Sequence, residues 1–240
     1  KNAVFMRLVA FRKRLNIIIE GGEKMKYENV DRLLQGLVDK GLPGCTLHIA
    51  QHGKMLYEGC FGYSDVENRE KLQYTSVFRM ASMSKLPLYT TLMILYERGL
   101  LIMDDPISKY FPEWKTSKKV IKDSNGKEQV VDTNRPILVK DVMTMACGLP
   151  YCMPFMKDSQ NYTERSMASC MASLWEKGSY DLREEIKAMS GAVLAFEPGT
   201  HWMYGYSSEL AAGLIEAICD KPANDVFADI LFKPLGMTDT

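Results

Sequence analysis

The sequence predicts an α/β segment followed by a mainly helical segment. Two runs of alternating apolar and polar residues flank His52-Gly53, so residues 45–61 are predicted to form a β-hairpin. Beyond Pro106 the apolar residues recur mainly at helical spacing. The 240 residues, 46% of them apolar and 25% charged, are enough for a sizeable core and are not typical of a disordered chain.

The first segment begins with a predicted helix. Its apolar residues are Val30, Leu33, Leu34, Leu37 and Val38, and Gly41 with Pro43 ends it. After the hairpin, residues 64–73 are polar and are predicted to be a loop. A long apolar helix then runs from about Ser82 to Arg98 and ends at Gly99.

The second segment contains one predicted hairpin among helices. Asn125-Gly126 lies between two valine- and isoleucine-containing runs, so residues 118–132 are predicted to pair across a tight turn. The predicted domains are an α/β part over 25–104 and a mainly helical part over 105–240. Helices are predicted near Val139–Met145, Glu164–Trp175, Leu182–Ala188, Ser208–Cys219 and Asn224–Phe232.

The N-terminal residues have a different character. Charged residues interrupt the apolar side chains of the first twenty positions, so they do not form the continuous apolar core of a secretory signal. Residues 20–25, Glu-Gly-Gly-Glu-Lys-Met, are what a ribosome-binding site and a start codon would give if translated. We therefore expect that Met25 is the natural start, that residues 1–24 are a non-native extension, and that the protein is cytoplasmic.

Composition excludes several function classes. Thirty basic residues balance thirty acidic ones, so no overall field favours nucleic acid. The longest apolar-rich run, Leu86 to Tyr96, has 11 residues, too few to span a membrane. The six cysteines form no C-x-x-C pair and are expected to be reduced thiols. Because the three histidines fit no metal-binding spacing and no nucleotide-binding glycine motif occurs, neither a metal nor a cofactor is expected.

The candidate chemistry begins at Ser82-Met83-Ser84-Lys85. A spacing of three residues places Ser82 and Lys85 on one face of a helix, with Ser82 at its positive N-terminal end. Burial and the same dipole disfavour a charged ammonium, so Lys85 is predicted to be a neutral base toward the serine hydroxyl. The pattern is weak alone, because a second S-x-x-K occurs at Ser124–Lys127 and a capped helix with a surface lysine explains either one.

The surroundings of Ser82 resemble a known family. The segment Phe78 to Lys85 is followed by an apolar helix and then by residues 99–106. This arrangement resembles the nucleophile region of serine β-lactamases and penicillin-binding proteins. It is most similar to the branch that contains class C β-lactamases, D-alanyl-D-alanine carboxypeptidases and related esterases. Three further stretches follow in the family's order: 141–149, with Met145 and Cys147 in place of the family's histidine and serine, then 196–204, and 234–240.

The family's second motif, Y-x-N, falls at Tyr204-Gly205-Tyr206. The resemblance implies that Ser82 is the nucleophile and that Lys85 and Tyr204 move protons, while packing in an aromatic cluster is the alternative for Tyr204. Tyr206, at the asparagine position, together with Ser207 and His201, is predicted to line the substrate site. Loss of the asparagine amide disfavours amide substrates and leaves esters.

The third motif, K-T-G on a sheet strand, does not occur in the sequence. Because that strand supplies a second oxyanion N–H in the family, we expect the 240 residues to be an incomplete fragment that is inactive by itself. The α/β-hydrolase motif G-x-S-x-G is absent, and His48 and His52 lie in or beside the hairpin, which disfavours a Ser-His-Asp triad.

The resemblance implies a β-lactamase/transpeptidase-like fold, in which an antiparallel sheet is flanked by helices and a helical domain is inserted. It also implies a serine hydrolase that acts through an acyl-enzyme on a small ester, D-amino-acid peptide or β-lactam. The alternative is a non-catalytic module that keeps the fold as a binding surface, which the Tyr206 departure permits. The substrate acyl group and the oligomeric state are left open.

Overall fold

The computed structural model describes residues 27–240. The prediction that residues 1–24 are an extension lies outside the described residues. The chain divides into two compact units, and the described part of the first ends at Phe78 while the second covers Arg79–Thr240.

The first unit is a helix and a small antiparallel sheet. Helix α1 (Glu28–Asp39) and the hairpin of β1 (Gly44–Gln51) and β2 (Lys54–Asp65) confirm the predicted elements. His52 and Gly53 both have positive φ, which suits the tight turn of a two-residue hairpin. A short strand, β3 (Glu70–Lys71), pairs with β2 inside the segment predicted to be a loop, because two residues are too few for a recognisable alternation.

Side-chain packing in this unit is modest. The Tyr57 hydroxyl donates to Asp31 Oδ1 at 2.6 Å and joins the hairpin to α1. Cys45 is the buried apolar side chain here, whereas large apolar side chains on α1 and β2 are exposed. These exposed side chains are Leu33, Leu37, Met55 and Leu56.

The second unit is mainly helical. A 3₁₀ turn (Ala81–Ser84) leads directly into α2 (Lys85–Glu97). The remaining helices are α3 (Val139–Met143), α4 (Tyr162–Lys177), α5 (Leu182–Met189), α6 (Ser207–Cys219) and α7 (Ala223–Phe227), with short 3₁₀ turns at Ile107–Lys109, Pro112–Trp114 and Pro154–Asp158 and a π-helical turn at Ala228–Phe232.

The core of this unit is built around α6. Helices α2, α3, α5 and α7 all pack against it. Helix α2 contributes Leu88, Leu92 and Leu95 to this core. These buried leucines pack α2 with the helices that follow it. None of the helices in residues 27–240 is long and apolar enough to cross a bilayer.

A small mixed sheet completes the second unit. Strands β4 (Lys118–Lys122) and β5 (Glu128–Asp132) form the predicted hairpin, and the Asp123 carboxylate accepts from the turn amides of Asn125 and Lys127. A third strand, β6 (Val193–Leu194), adds to β4 in parallel. The sequence pattern did not predict β6, because its two apolar residues show no alternation.

Candidate active site

Ser82 lies in the 3₁₀ turn that precedes α2, and its side chain is exposed. The residue before it, Ala81, has φ +45°, in the left-handed region that a side chain with a Cβ rarely adopts. Such strain costs about 1–3 kcal/mol and persists only where the surroundings enforce it. The backbone therefore turns sharply at Ser82 and presents its hydroxyl to solvent.

Lys85 lies one turn further, between two tyrosines. Its Nζ donates to the Tyr151 hydroxyl at 3.1 Å and lies over the Tyr204 ring. It stands 4.9 Å from the centre of the Tyr204 ring and 5.6 Å from that of Tyr151. The two rings pack edge to face, with centres 5.5 Å apart. One amine therefore contacts both tyrosines, by a hydrogen bond to Tyr151 and by its position over the ring of Tyr204.

Tyr204 completes the group around Ser82. Its hydroxyl donates to Ser82 Oγ at 2.5 Å, across 122 residues of sequence. The pKa of Tyr204 is lowered from its ordinary value, first by the hydrogen bond to Ser82 and then by the hydrogen bond and positive charge of Lys85, against the opposing effect of burial. Such a phenol is a stronger acid than free tyrosine, and its phenolate is positioned to accept the Ser82 proton.

The protonation of Lys85 differs from our expectation. Burial acts to lower the pKa of Lys85, but the hydrogen bonds to Tyr151 and Tyr204 outweigh it, and the pKa is raised. This direction opposes the predicted neutral amine. The helix-dipole argument omitted the two phenols, because only the folded chain brings them to the amine. A raised pKa favours the ammonium form of Lys85, which would stabilise negative charge on its neighbours.

Backbone pairing places the two phenols side by side. The segment that precedes Tyr151 accepts three hydrogen bonds from the segment that precedes Tyr204: Ala195 N to Gly148 O at 2.9 Å, Gly199 N to Ala146 O at 2.8 Å and Met203 N to Met145 O at 2.9 Å. These segments are the second and third stretches of the family resemblance. Their shared function here is to hold Tyr151 and Tyr204 together.

Gly205 is required by this pairing. A Cβ at position 205 would lie 1.7 Å from the carbonyl oxygen of Leu149. Because that oxygen belongs to the backbone, no side-chain rotation could relieve the clash. The glycine in Tyr204-Gly205-Tyr206 therefore lets the two segments approach closely enough for the phenols to meet.

Two ion pairs hold the same segments from the other side. Lys119 Nζ contacts Glu197 Oε2 at 2.6 Å, with both side chains largely buried. Glu197 also accepts from the backbone amides of Asn134 and Arg135. Arg135 in turn makes a two-pronged contact with Asp141, at 2.7 and 3.0 Å, and Asp141 accepts from Leu138 N at the start of α3. These contacts fix residues 134–141 and 197–199.

A polar chain continues from Tyr151 into the protein. The Tyr151 hydroxyl lies 3.2 Å from Ser208 Oγ, and Ser208 Oγ donates to Glu209 Oε2 at 2.8 Å. Burial raises the pKa of Glu209, opposed by the Ser208 hydrogen bond and by the charge of Lys85. Burial and the nearby Glu209 charge raise the pKa of Glu185 to about 7. A carboxyl group therefore lies at the inner end of the Lys85 site.

The three predicted catalytic residues lie together, whereas the three predicted substrate-binding residues do not join them. Tyr206 is buried, its hydroxyl donates to the Cys152 carbonyl at 3.4 Å, and its ring packs against Tyr151. Ser207 is buried beside the Cys147 thiol. His201 is exposed, within hydrogen-bonding distance of Thr200 and against Phe196. Tyr206 therefore packs against Tyr151 with its ring, while its phenol points to Cys152.

The sequence did not identify two residues of this site, Tyr151 and Glu209. Tyr151 follows the 141–149 stretch by two positions, and Glu209 follows Tyr204 by five. Proximity to two stretches of the family resemblance was the available indication, but neither residue belongs to a catalytic motif that we considered. Among residues 27–240, no three or more histidine, cysteine, aspartate or glutamate side chains are grouped to hold a metal ion.

Comparison with known protein families identifies the family of the chain. The family model described as Beta-lactamase matches residues 30–240, most of the chain. The chain belongs to the Beta-lactamase family. All four stretches of the predicted resemblance lie within the matched residues, and the predicted fold class is confirmed.

Several relatives within or near this family are similar to the chain. Esterase EstB of Burkholderia gladioli is 25% identical over 206 residues, covering 85% of the chain and 48% of that protein. Among solved structures, EstCE1, described as a hydrolase with promiscuous acyltransferase activity, has a TM-score of 0.70 at 23% identity, covering 87% of the chain and 51% of its own. Simvastatin synthase (LovD) of Aspergillus terreus has a TM-score of 0.70 at 21% identity, covering 91% and 53%. The chain spans about half the length of these relatives.

Proposed function

We propose that the whole protein is a serine hydrolase that forms an acyl-enzyme on Ser82 from a small ester. The observation that supports this most directly is the 2.5 Å contact between the Tyr204 hydroxyl and Ser82 Oγ, with the Lys85 amine 4.9 Å from the centre of the same ring. A serine hydroxyl is a weak nucleophile unless a neighbouring base removes its proton. Tyr204, with its lowered pKa, is the base, and the Lys85 ammonium stabilises the phenolate.

The reaction has two halves that use the same groups. Ser82 Oγ bonds to the ester carbonyl carbon while its proton passes to the Tyr204 phenolate. The bond to the leaving alcohol then breaks, and Tyr204 returns the proton to the alcohol oxygen. In the second half a water molecule attacks the acyl carbon, gives a proton to Tyr204, and Ser82 regains it as the carboxylic acid leaves.

One observation favours esters over amides. The position of the family's asparagine, a group that helps to hold amide substrates, is filled by Tyr206, whose phenol is turned toward Cys152. Similar proteins include Esterase EstB but also a D-amino acid amidase, so they support an acyl-enzyme on either class of substrate. An alcohol in place of water in the second half would give acyl transfer with the same proton movements.

Covalent labelling tests this function. The full-length protein is treated with a fluorophosphonate, which bonds to an activated serine, and the modified peptide is identified by mass spectrometry. We expect labelling at Ser82, its loss in Ser82→Ala, and its persistence in Ser84→Ala, which alters an exposed serine of the same turn. A p-nitrophenyl ester should be hydrolysed at least about 10³ times more slowly by Ser82→Ala. Absence of labelling in the wild type would favour the non-catalytic binding module.

We also propose that the 240 residues are inactive when produced alone. The K-T-G motif, which in the family contributes an oxyanion N–H beside that of the nucleophile, does not occur in them. Loss of one oxyanion donor costs about 10²–10³ in rate. Ester hydrolysis by the 240 residues at the rate of the full-length protein would contradict this proposal.

A further inference from the structure

We propose that Glu209 is a positioning residue that sets the orientation and charge of Lys85 through Ser208 and Tyr151. This inference rests on the proposed function, because it concerns the proton transfers at Ser82. It adds to that function a carboxyl group that lies at the opposite end of a hydrogen-bonded chain from the reacting serine.

The chain is continuous in the structure. Lys85 Nζ lies 3.1 Å from the Tyr151 hydroxyl, which lies 3.2 Å from Ser208 Oγ, and Ser208 Oγ lies 2.8 Å from Glu209 Oε2. Ser208 and Glu209 are consecutive in the first turn of α6. Ser208 is buried and Tyr151 and Glu209 are partly buried. The low exposure strengthens each of these hydrogen bonds.

The number of protons fixes the direction of the chain. An ionised Glu209 only accepts hydrogen bonds, so the single hydroxyl proton of Ser208 is donated to Glu209. Ser208 can then only accept from Tyr151, and Tyr151 has no proton left for Lys85. Tyr151 therefore accepts from the Lys85 ammonium. A protonated Glu209 would allow every bond to reverse, and Tyr151 would then donate to a neutral amine.

Charge acts in the same sense as this hydrogen-bond direction. Glu209 interacts with Lys85 and Tyr89 of α2, Glu185 of α5, and the tyrosines 204 and 206 that precede α6. Lys85 supplies the positive charge in this set and lowers the pKa of Glu209. Glu209 in return raises the pKa of Tyr204 and of Glu185. Its negative charge therefore favours the ammonium and opposes the phenolate.

The expected effect on activity has a definite sign. In the proposed mechanism the active form has Tyr204 ionised and Lys85 charged, so the rate rises above the pKa of Tyr204 and falls above that of Lys85. Removal of the Glu209 charge lowers both pKa values. The whole pH profile should therefore move to lower pH, which a loss of packing alone would not cause.

The test compares Glu209→Gln with Glu216→Gln in the full-length protein. Glu216 lies on the same helix, is also partly buried and accepts from Ala223 N, a contact that glutamine can keep. The measurement is the rate of fluorophosphonate labelling at Ser82 from pH 5 to 11, roughly the range that spans ordinary carboxyl, tyrosine and lysine ionisation. We expect Glu209→Gln to label about 10-fold more slowly at its optimum, with its profile moved about half a unit or more toward acid. Glu216→Gln should match the wild type.

A second measurement does not depend on labelling. Nitrogen NMR of the lysine side chains would follow the ionisation of Lys85, identified by its loss in Lys85→Met, and Glu209→Gln should lower its pKa. If Glu209→Gln does not melt cooperatively, Ser208→Ala, which cuts the chain without removing a charge, should still slow labelling. If the wild type is labelled at Ser82 but Glu209→Gln has the same pH profile as the wild type, this inference alone is overturned. If the wild type is never labelled at Ser82, the proposed function is overturned and the inference with it.

Discussion

The Tyr204 hydroxyl lies 2.5 Å from Ser82 Oγ although 122 residues separate them in sequence. Tyr204 is 41% exposed, so its contribution to packing is small compared with its contact to Ser82 and Lys85. The site thus depends on a phenol whose removal tests chemistry more than folding.

Replacement of Tyr204 by phenylalanine should remove the base and leave the fold intact. Labelling of Ser82 and ester hydrolysis should both slow by about 10²–10⁴, the usual contribution of a positioned acid–base group. The melting temperature should stay close to that of the wild type. Tyr96→Phe is the control, because Tyr96 is also an exposed tyrosine but lies on α2, and this variant should retain full activity. Undiminished activity in Tyr204→Phe would contradict the proposed role.

The charge of Lys85 should be measurable at Tyr204. Lys85→Met keeps the apolar stem and removes the ammonium, so the pKa of Tyr204 should rise by about one unit or more. The measurement is tyrosinate absorbance against pH, with the Tyr204 contribution obtained by subtraction of a Tyr204→Phe variant. Lys109→Met is a matched control, because Lys109 lies near a different tyrosine, Tyr110. An unmoved Tyr204 titration in Lys85→Met would show that the ammonium does not lower its pKa.

Gly205→Ala should displace the Tyr204 segment. The new Cβ would lie 1.7 Å from the Leu149 carbonyl oxygen, so the backbone pairing must open. We expect a loss of roughly 2–4 kcal/mol in the free energy of unfolding, measured with denaturant, together with loss of Ser82 labelling. Gly36→Ala is the control, since nothing lies within 4 Å of its new Cβ, and helix α1 should gain about 0.5–1 kcal/mol. A stable, active Gly205→Ala would contradict the close approach.

Stability should depend on pH through Glu197. Its pKa is lowered because the Lys119 contact and the Asn134 and Arg135 amides outweigh burial. A lowered pKa contributes stability above the ordinary value of about 4.3, and that stability is lost as the pH falls through the folded-state pKa. Glu197→Gln should cost about 3 kcal/mol at neutral pH and flatten this dependence.

The matched comparison for Glu197 is Asp104→Asn, in the exposed pair with Lys140. That change should cost less than about 1 kcal/mol, because exposed ion pairs contribute little. Denaturant unfolding at pH 7 and pH 3.5 measures both variants. Equal losses of unfolding free energy in the two variants would show that the buried Lys119–Glu197 pair stabilises the protein no more than the exposed Lys140–Asp104 pair.

Sequence patterns predicted those parts of the molecule that depend on local chemistry. The helix from Ser82, the hairpin across His52-Gly53 and the Asn125-Gly126 turn all follow from spacing and turn preference, and the structure contains them. The strands β3 and β6 escaped prediction because two residues show no period. Their pairing comes from neighbouring strands that only the folded chain supplies.

The site was predictable only in part for the same reason. Family motifs identified Ser82, Lys85 and Tyr204, which the structure brings together. Tyr151 and Glu209 belong to none of those motifs, and their contacts depend on how α6 meets the turn at 145–149. The raised pKa of Lys85 could not be predicted, because helix position and burial are visible in a sequence, whereas two phenols approaching from distant segments are not.

The hydrogen bonds between residues 145–148 and 195–203 use main-chain atoms alone. They join the two segments without involving side-chain atoms, whereas Gly148 and Gly199 leave little room for a Cβ and Glu197 makes the buried contact with Lys119. Laboratory evolution of substrate preference can therefore vary the exposed side chains of the second segment, such as His201 and Trp202, while the two phenols keep their mutual geometry.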